Sequence, residues 1–452
     1  MSVAGNPPEL KDAPLPSRMG PFGMSRYQWL VLFAAWLGWG FDMLDGVLFS
    51  FVSSNCIPTL LHIPIGSLAA KRATMEWTGT LTSILLLGWA GGGLLFGKIA
   101  DSLGRVRTLL ITILMYAVGT AACAFAPNIE TLILFRIIAS LGIGGEWAAG
   151  ATMVSEVVPE NRRVEAGALL YTAAPFGLTV ATLANAVITT HFSAHPEVSW
   201  RYVFLFGLVP AVIAFGVSAL VREPERWRER GKGAAAHMRE LFSPALRRAT
   251  MSGLLMAIIA LIAWWSTNAF LPIVARSLAS SVPGFHDLTA VQARKLQEHW
   301  VLVASMLFNL GGLIGTLLTV PVANNWGRRP MYGSYFGLGA VAILAMFGLP
   351  LPPALRIVGY FFVGLTIFGA FGSFTYYLPE LFPTRVRAMG AGFCYNLGRI
   401  LAAIGPFLVG QVTQAGDPAL VLRTMMAIGF VPLVGALLVP LAVETRGHTL
   451  AD

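Results

Sequence analysis

Charge is what this 452-residue chain has least of. Only 12% of its residues are Asp, Glu, Lys or Arg, against the ~25% usual in a soluble domain, so an ordinary solvated globule is excluded. Cysteine is nearly absent as well. Cys56, Cys123 and Cys394 are an odd set falling in or beside apolar runs, which rules out a disulfide framework. No G-x-x-x-x-G-K-[ST] phosphate loop occurs, which disfavours ATP-driven work. The seven histidines lie mostly in loops or at span ends, without metal-ligand spacing. No metal, no cofactor and no enzymatic activity are expected. The first 24 residues are Pro-rich and polar and contain no cleavable signal, so the first apolar run must act as its own insertion signal.

Apolar sequence fills the remainder. The chain is 56% hydrophobic with a mean hydropathy of +0.69. Its apolar stretches repeat at the ~20 residues that, at ~1.5 Å each, cross a ~30 Å hydrocarbon core. Twelve spans are expected, near 27–52, 77–100, 107–126, 130–152, 165–190, 201–221, 249–275, 299–322, 331–350, 354–378, 388–413 and 419–442. The fold class is therefore an all-α membrane protein of twelve transmembrane helices. Segments alternating in polarity, the mark of an outer-membrane barrel, do not occur.

The basic residues punctuate the spans and form no patch, so the net charge of +9 does not point to nucleic acid. Loops on the terminus side hold 21 Lys and Arg, the opposite side 8, and two, Arg136 and Arg399, lie inside spans. That bias predicts a protein of the cytoplasmic (inner or plasma) membrane, with both termini in the cytoplasm. The domains read as a tail (1–26), a six-helix bundle (27–221), a central cytoplasmic loop (222–248), a second bundle (249–442) and a short tail (443–452).

The halves repeat. Gly88, Gly92 and Gly104-Arg105 recur 223 residues later as Gly311, Gly315 and Gly327-Arg328. Glu156, Pro159, Arg163 and Tyr171 recur 224 later as Glu380, Pro383, Arg387 and Tyr395. Two pseudo-symmetric bundles imply a central site that opens to either side. The glycines of helices 2 and 8 read as close-packing surfaces.

Against this apolar background a few polar residues stand out. Asp42 and Asp45 share one face of helix 1, and an ionised Asp at bilayer depth costs on the order of 3 kcal/mol. Counting inward at ~1.5 Å per residue puts Arg136 of helix 4 in the same layer as Asp42. Either charge alone would be uncompensated, so the pair reads as partners, although which Asp pairs stays open. Glu146 lies nearer the cytoplasm and reads as a gate residue for the arginines at 162–163 or 105–107, with proton relay as its second reading. In helix 11, Arg399 lies near mid-membrane with Tyr395 and Asn396 on its face, a set suited to capturing a carboxylate. Asn268 in helix 7 and Tyr376 and Tyr377 in helix 10 are further candidate ligands, each equally readable as packing polarity.

The pattern G-x-x-x-D-x-x-G-R from Gly97 to Arg105 resembles the signature of the major facilitator superfamily, as does Arg136-x-x-x-x-x-Gly142-x-Gly144-Gly145-Glu146 in helix 4. The resemblance covers essentially the whole chain and implies that superfamily's fold. It makes Asp101, Gly104 and Arg105 gate residues, and Glu156, Arg163, Glu380 and Arg387 complete that assignment. The second copy of the motif carries Asn324 in place of the acid. Proton-coupled sugar porters of the superfamily use a helix-1 Asp and a helix-4 Arg, so Asp42, Asp45 and Arg136 are expected to couple protons. The drug antiporters' Gly-Pro motif is replaced by Ala174-Pro175. Closest in kind are the metabolite:proton symporters of the sialate and organic-acid branch.

The resemblance thus implies a monomeric importer, driven by the proton gradient, of a small organic solute such as a sialic or other organic acid. A sugar or polyol porter is the alternative, with a drug-efflux antiporter and a non-transporting sensor behind it.

Overall fold

A computed structural model describes residues 23–158, 163–222, 237–383, 386–414 and 417–446; the side chains at 101, 102, 105, 147–152, 155, 156, 163, 164, 210 and 388 lie outside it. Helices dominate, and no β-strand occurs among the described residues.

The first six passes are α1 (Arg26–Leu60), α2 (Leu68–Leu103), α3 (Arg105–Cys123), α4 (Ile129–Val157), α5 (Glu165–His191) and α6 (Pro196–Ser218). The second six are α7 (Arg247–Ser280), α8 (Ala290–Trp326), α9 (Arg328–Gly348), α10 (Pro353–Glu380), α11 (Met389–Thr413) and α12 (Pro418–Leu441). Twelve passes bring the chain's two ends to one face, called here the terminus face. Several helices run well past the expected spans: α2 starts nine residues early and α8 covers 37 residues.

Local chemistry sets the helix starts. Ser25 and Gln28 form a reciprocal capping box for α1, and Thr289 and Gln292 do the same for α8. Ser67 and Asn128 cap α2 and α4. The repeated glycines 104 and 327 turn α2 into α3 and α8 into α9 at φ +112° and +105°, a backbone region that costs glycine nothing. Packing repeats along with them. A methyl group on Gly92 would strike the Leu141 carbonyl of α4, and one on Gly315 the Leu365 carbonyl of α10. The duplicated glycines therefore seat α2 on α4 and α8 on α10 with backbones in contact, as small-xxx-small surfaces do.

The two bundles meet along a seam. Ser83 of α2 donates to the Ala403 carbonyl of α11 at 2.6 Å. Gly410 of α11 lies against the backbone of Met75 and Gly79 of α2. On the other side, Gly167 of α5 packs against Thr375 of α10.

Candidate functional site

Polar residues of the first bundle gather around α1. Asp45 is 2% exposed and accepts a 2.6 Å hydrogen bond from Thr120 of α3. Arg136 of α4 is 1% exposed and donates to the Asp45 and Gly46 carbonyls at 3.5 and 3.4 Å. Its guanidinium lies 5.9 Å from the Phe49 ring centre, and Nε has no hydrogen-bond partner among the described residues. Arg136 is thus level with Asp45, its electrostatic neighbour, and one turn away from Asp42. The expected Asp42–Arg136 layer is corrected by this placement: Arg136 reaches the Asp45 and Gly46 carbonyls, about one turn past Asp42 along α1.

Asp42 faces a different residue. Glu146 of α4 is 1% exposed, and its carboxyl is an electrostatic neighbour of the Asp42 carboxyl. Gly38, one turn before Asp42, makes the room, since a Cβ there would collide with Glu146 Oε1. Glu146 therefore does not stand at the edge of the membrane in an arginine pair. It is turned into the bundle interior because α1 offers a glycine notch on the side it faces.

Across the seam, Arg399 of α11 is 1% exposed. Its guanidinium carbon lies 4.2 Å from the Trp89 ring centre of α2 and 4.4 Å from that of Tyr395, and Nη1 donates to Asn396 Oδ1 at 3.2 Å. Stacking on ring faces fixes the guanidinium plane and so the direction of its N–H edge. A small cavity adjoins it, walled by Met43, Trp89, Tyr171, Trp264, Trp265, Phe371, Tyr395 and Arg399. Trp89 and Trp265 meet edge to face at 5.8 Å across the two halves. Asp42, the neighbour of Met43, is close enough to Arg399 for their charges to interact. The expected trio Tyr395, Asn396 and Arg399 is thus together, and the rings that surround it are an addition.

Asn268 is elsewhere. It lines a second small cavity with Val47, Ser50, Thr182, Ser305 and Asn309, one turn beyond the first along α1 and α7. Tyr376 and Tyr377 reach neither cavity. The Tyr376 hydroxyl points at the Thr319 carbonyl, 3.5 Å away, under the Arg328 guanidinium. The Tyr377 hydroxyl bonds Ser252 at 2.6 Å and the Val443 carbonyl at 3.0 Å. A π-turn at Gly364–Phe368 and a 3₁₀ turn at Phe371–Ser373 rotate the end of α10, which sends both tyrosines into the second bundle.

The expected gate residues divide. Glu380 pairs with Arg328 at 2.6 Å and accepts from Thr445 at 2.5 Å, all within the second bundle. Arg387 donates to the Phe382 carbonyl at 3.2 Å. Gly104 makes the turn described above. The side chains of Asp101, Arg105, Glu156 and Arg163 lie outside the described residues.

One cluster escaped the sequence reading. Arg276 of α7 and Glu298 of α8, both 8% exposed, form a 2.9 Å ion pair at the face opposite the termini, the far face. Arg276 also donates to the Phe51 carbonyl at 2.7 Å and to Ser54 at 3.3 Å on α1. Glu298 accepts from Asn185 and Thr189 of α5 at 3.2 and 3.3 Å. The pair therefore ties the two bundles together. At the ends of their spans, these residues read as loop charges in the sequence.

Twelve helices in two related bundles around a buried central site define a secondary-transporter architecture. The chain belongs to the Major Facilitator Superfamily, whose profile matches residues 29–406. It is a membrane transporter of organic metabolites and not an enzyme. It is 28% identical to the niacin transporter NiaP of Acinetobacter baylyi over 96% of this chain and 98% of that one. It is 26% identical to the sialic acid transporter NanX of Escherichia coli, covering 84% and 86%. The gentisate transporter of Corynebacterium glutamicum is 24% identical, covering 84% and 80%. Among solved structures, a D-xylose-proton symporter superposes with a TM-score of 0.69 at 17% identity, covering 94% of this chain and 100% of that one. That likeness concerns the fold.

Proposed function

We propose that this protein imports a small planar carboxylate with protons, Arg399 taking the carboxylate and the surrounding rings taking the body of the solute. The observation that carries this reading is the Arg399 guanidinium stacked on Trp89 and Tyr395 at the edge of an aromatic-walled cavity. An arginine held by rings presents a planar fork that matches a carboxylate, and aromatic walls reward a flat, apolar body. Relatives named for niacin, gentisate and cis,cis-muconate support the choice of substrate class. A polyhydroxylated acid fits less well, because most of its hydroxyls would face rings without a partner.

Coupling follows from charge. Asp42 is within electrostatic reach of Arg399, so an ionised Asp42 competes with the solute anion for the same guanidinium. A proton on the acid removes the competitor, and solute and proton enter together. The excess of Lys and Arg on the terminus side supports a cytoplasmic location for that face.

The test is a thermal-shift titration of the purified protein with nicotinate and with nicotinamide, which differ in the carboxylate alone. Stabilisation by nicotinate, stronger in acid and lost in Arg399→Ala, is expected. Equal stabilisation by both compounds would overturn the reading. A sugar porter is the second reading. It is favoured by the Ser, Thr and Asn lining of the outer cavity, and predicts stabilisation by neutral sugars.

A further inference from the structure

We propose that the indole N–H of Trp264 determines specificity. It selects a solute that carries a hydrogen-bond acceptor, an unprotonated ring nitrogen or a carbonyl oxygen, at the end of its body away from the carboxylate. This assignment rests on the carboxylate reading above and narrows the solute class.

Trp264 of α7 is 2% exposed and forms part of the cavity wall beside Arg399. Its Nε1 has no hydrogen-bond partner among the described residues. An indole nitrogen can only donate, and a buried donor left unpaired loses more than an ordinary hydrogen bond returns. The rings around it do not supply the missing partner. Trp265, Phe308, Phe368 and Phe371 have their centroids 4.6, 6.4, 5.5 and 5.9 Å from that of Trp264, and none of these side chains carries an acceptor atom. The cavity that Trp264 helps to line is where an acceptor can enter.

A run of ring contacts sets where that acceptor falls. Arg399 stacks on Trp89 at 4.2 Å, Trp89 meets Trp265 at 5.8 Å, and Trp265 meets Trp264 at 4.6 Å. Trp264 is therefore two ring contacts beyond the ring that holds the arginine. A flat solute with its carboxylate at Arg399 and its body along these rings brings its other end to Trp264. A C–H at that end leaves the indole N–H bare, and an amine N–H sets donor against donor. A lone pair satisfies it.

Two measurements on the purified full-length protein test this, with nicotinate, isonicotinate and benzoate as probes at neutral pH. All three are flat carboxylates, and only the first two carry a ring nitrogen. In calorimetric titration the wild type should bind the tighter of the two pyridine acids roughly 3- to 10-fold better than benzoate, the worth of one hydrogen bond. Trp264→Phe keeps a ring and removes the N–H, so it should bring that ratio to about one. Trp265→Phe, which alters the same wall, should keep the ratio. The second readout does not depend on how well the variant packs. In the wild type, the indole N–H resonance that is missing from Trp264→Phe should move downfield with the pyridine acid and not with benzoate. A ratio unchanged in Trp264→Phe, or a resonance that responds alike to both acids, would overturn the proposal. Failure of the underlying reading looks different: nicotinamide would then bind as well as nicotinate. Pyridine acids and benzoate bound equally, with nicotinamide excluded, would sink the role of Trp264 and leave carboxylate recognition standing.

Discussion

Among its described residues the second bundle contains two arginine–glutamate pairs of similar geometry, and their remaining partners lie in different bundles. Arg328–Glu380, at 2.6 Å on the terminus face, has all its described partners inside its own bundle, among them the Thr445 hydroxyl. Arg276–Glu298, at 2.9 Å on the far face, takes its remaining partners from the first bundle, on α1 and α5. When two bundles rock against each other, a pair contained in one of them travels intact. A pair that bridges them must lose partners each time the far face opens. Sharing a chemistry does not give the two pairs a common role; the helices that carry their partners decide it.

The sharpest way to break this comparison is Arg276→Ala. Removing one member of a buried ion pair costs about 3–5 kcal/mol, here charged to the state with the far face closed. A cysteine at Ser54, beside Arg276, should then react with an impermeant thiol reagent ~60- to 100-fold faster, since ~3–5 kcal/mol turns an open state populated at ~1% into the majority state. An unchanged labelling rate would show that the pair is not a latch. Glu380→Gln should behave differently. It should lower stability by roughly 3 kcal/mol, seen as a lower unfolding temperature, with far-face labelling unaltered.

Smaller effects sharpen the contrast. Tyr377→Phe removes the hydroxyl that joins Ser252 to the Val443 carbonyl. It should cost about 1 kcal/mol of stability and leave solute affinity alone, although helix 10 reads in sequence as cavity-lining. Smallest of all is the tail clamp at Glu444. Burial pushes its carboxyl upward, but the Arg328, Arg329 and Arg446 backbone N–H groups outweigh that and hold it below the usual glutamate range. A carboxyl lowered by folding stabilises fully above its unfolded value, and that contribution disappears as pH falls through the folded one. Glu444→Gln should therefore unfold slightly earlier than wild type at neutral pH, and the difference should vanish in acid.

What could be read from the sequence followed from how regular the helices are. The duplicated glycines announced close-packing surfaces on α2 and α8, because a residue without a side chain has the same meaning at any depth; that α4 and α10 fill them is visible only in the fold. Tyr395, Asn396 and Arg399 fall on one unbroken stretch of helix, and their grouping held. Tyr376 and Tyr377 did not keep their expected face, because the π and 3₁₀ turns of α10 break the 3.6-residue register. Arg276 and Glu298 were hidden by position. At the ends of apolar spans, charged residues normally face water, and only tertiary packing shows that these two are enclosed. Trp89 carried no distinguishing mark, being one aromatic beside a glycine run.

The most direct test of the central claim is accumulation in proteoliposomes under an imposed pH gradient, comparing benzoate with benzamide in wild type and Arg399→Ala. Above the passive uptake of benzoic acid measured in protein-free liposomes, benzoate should concentrate against its own gradient in the wild type and benzamide should not. Loss of a buried, charge-assisted carboxylate contact, worth ~2–5 kcal/mol, should reduce benzoate uptake in Arg399→Ala by about 100-fold. Benzamide concentrated as well as benzoate, or an Arg399→Ala variant that accumulates benzoate like the wild type, would contradict the account.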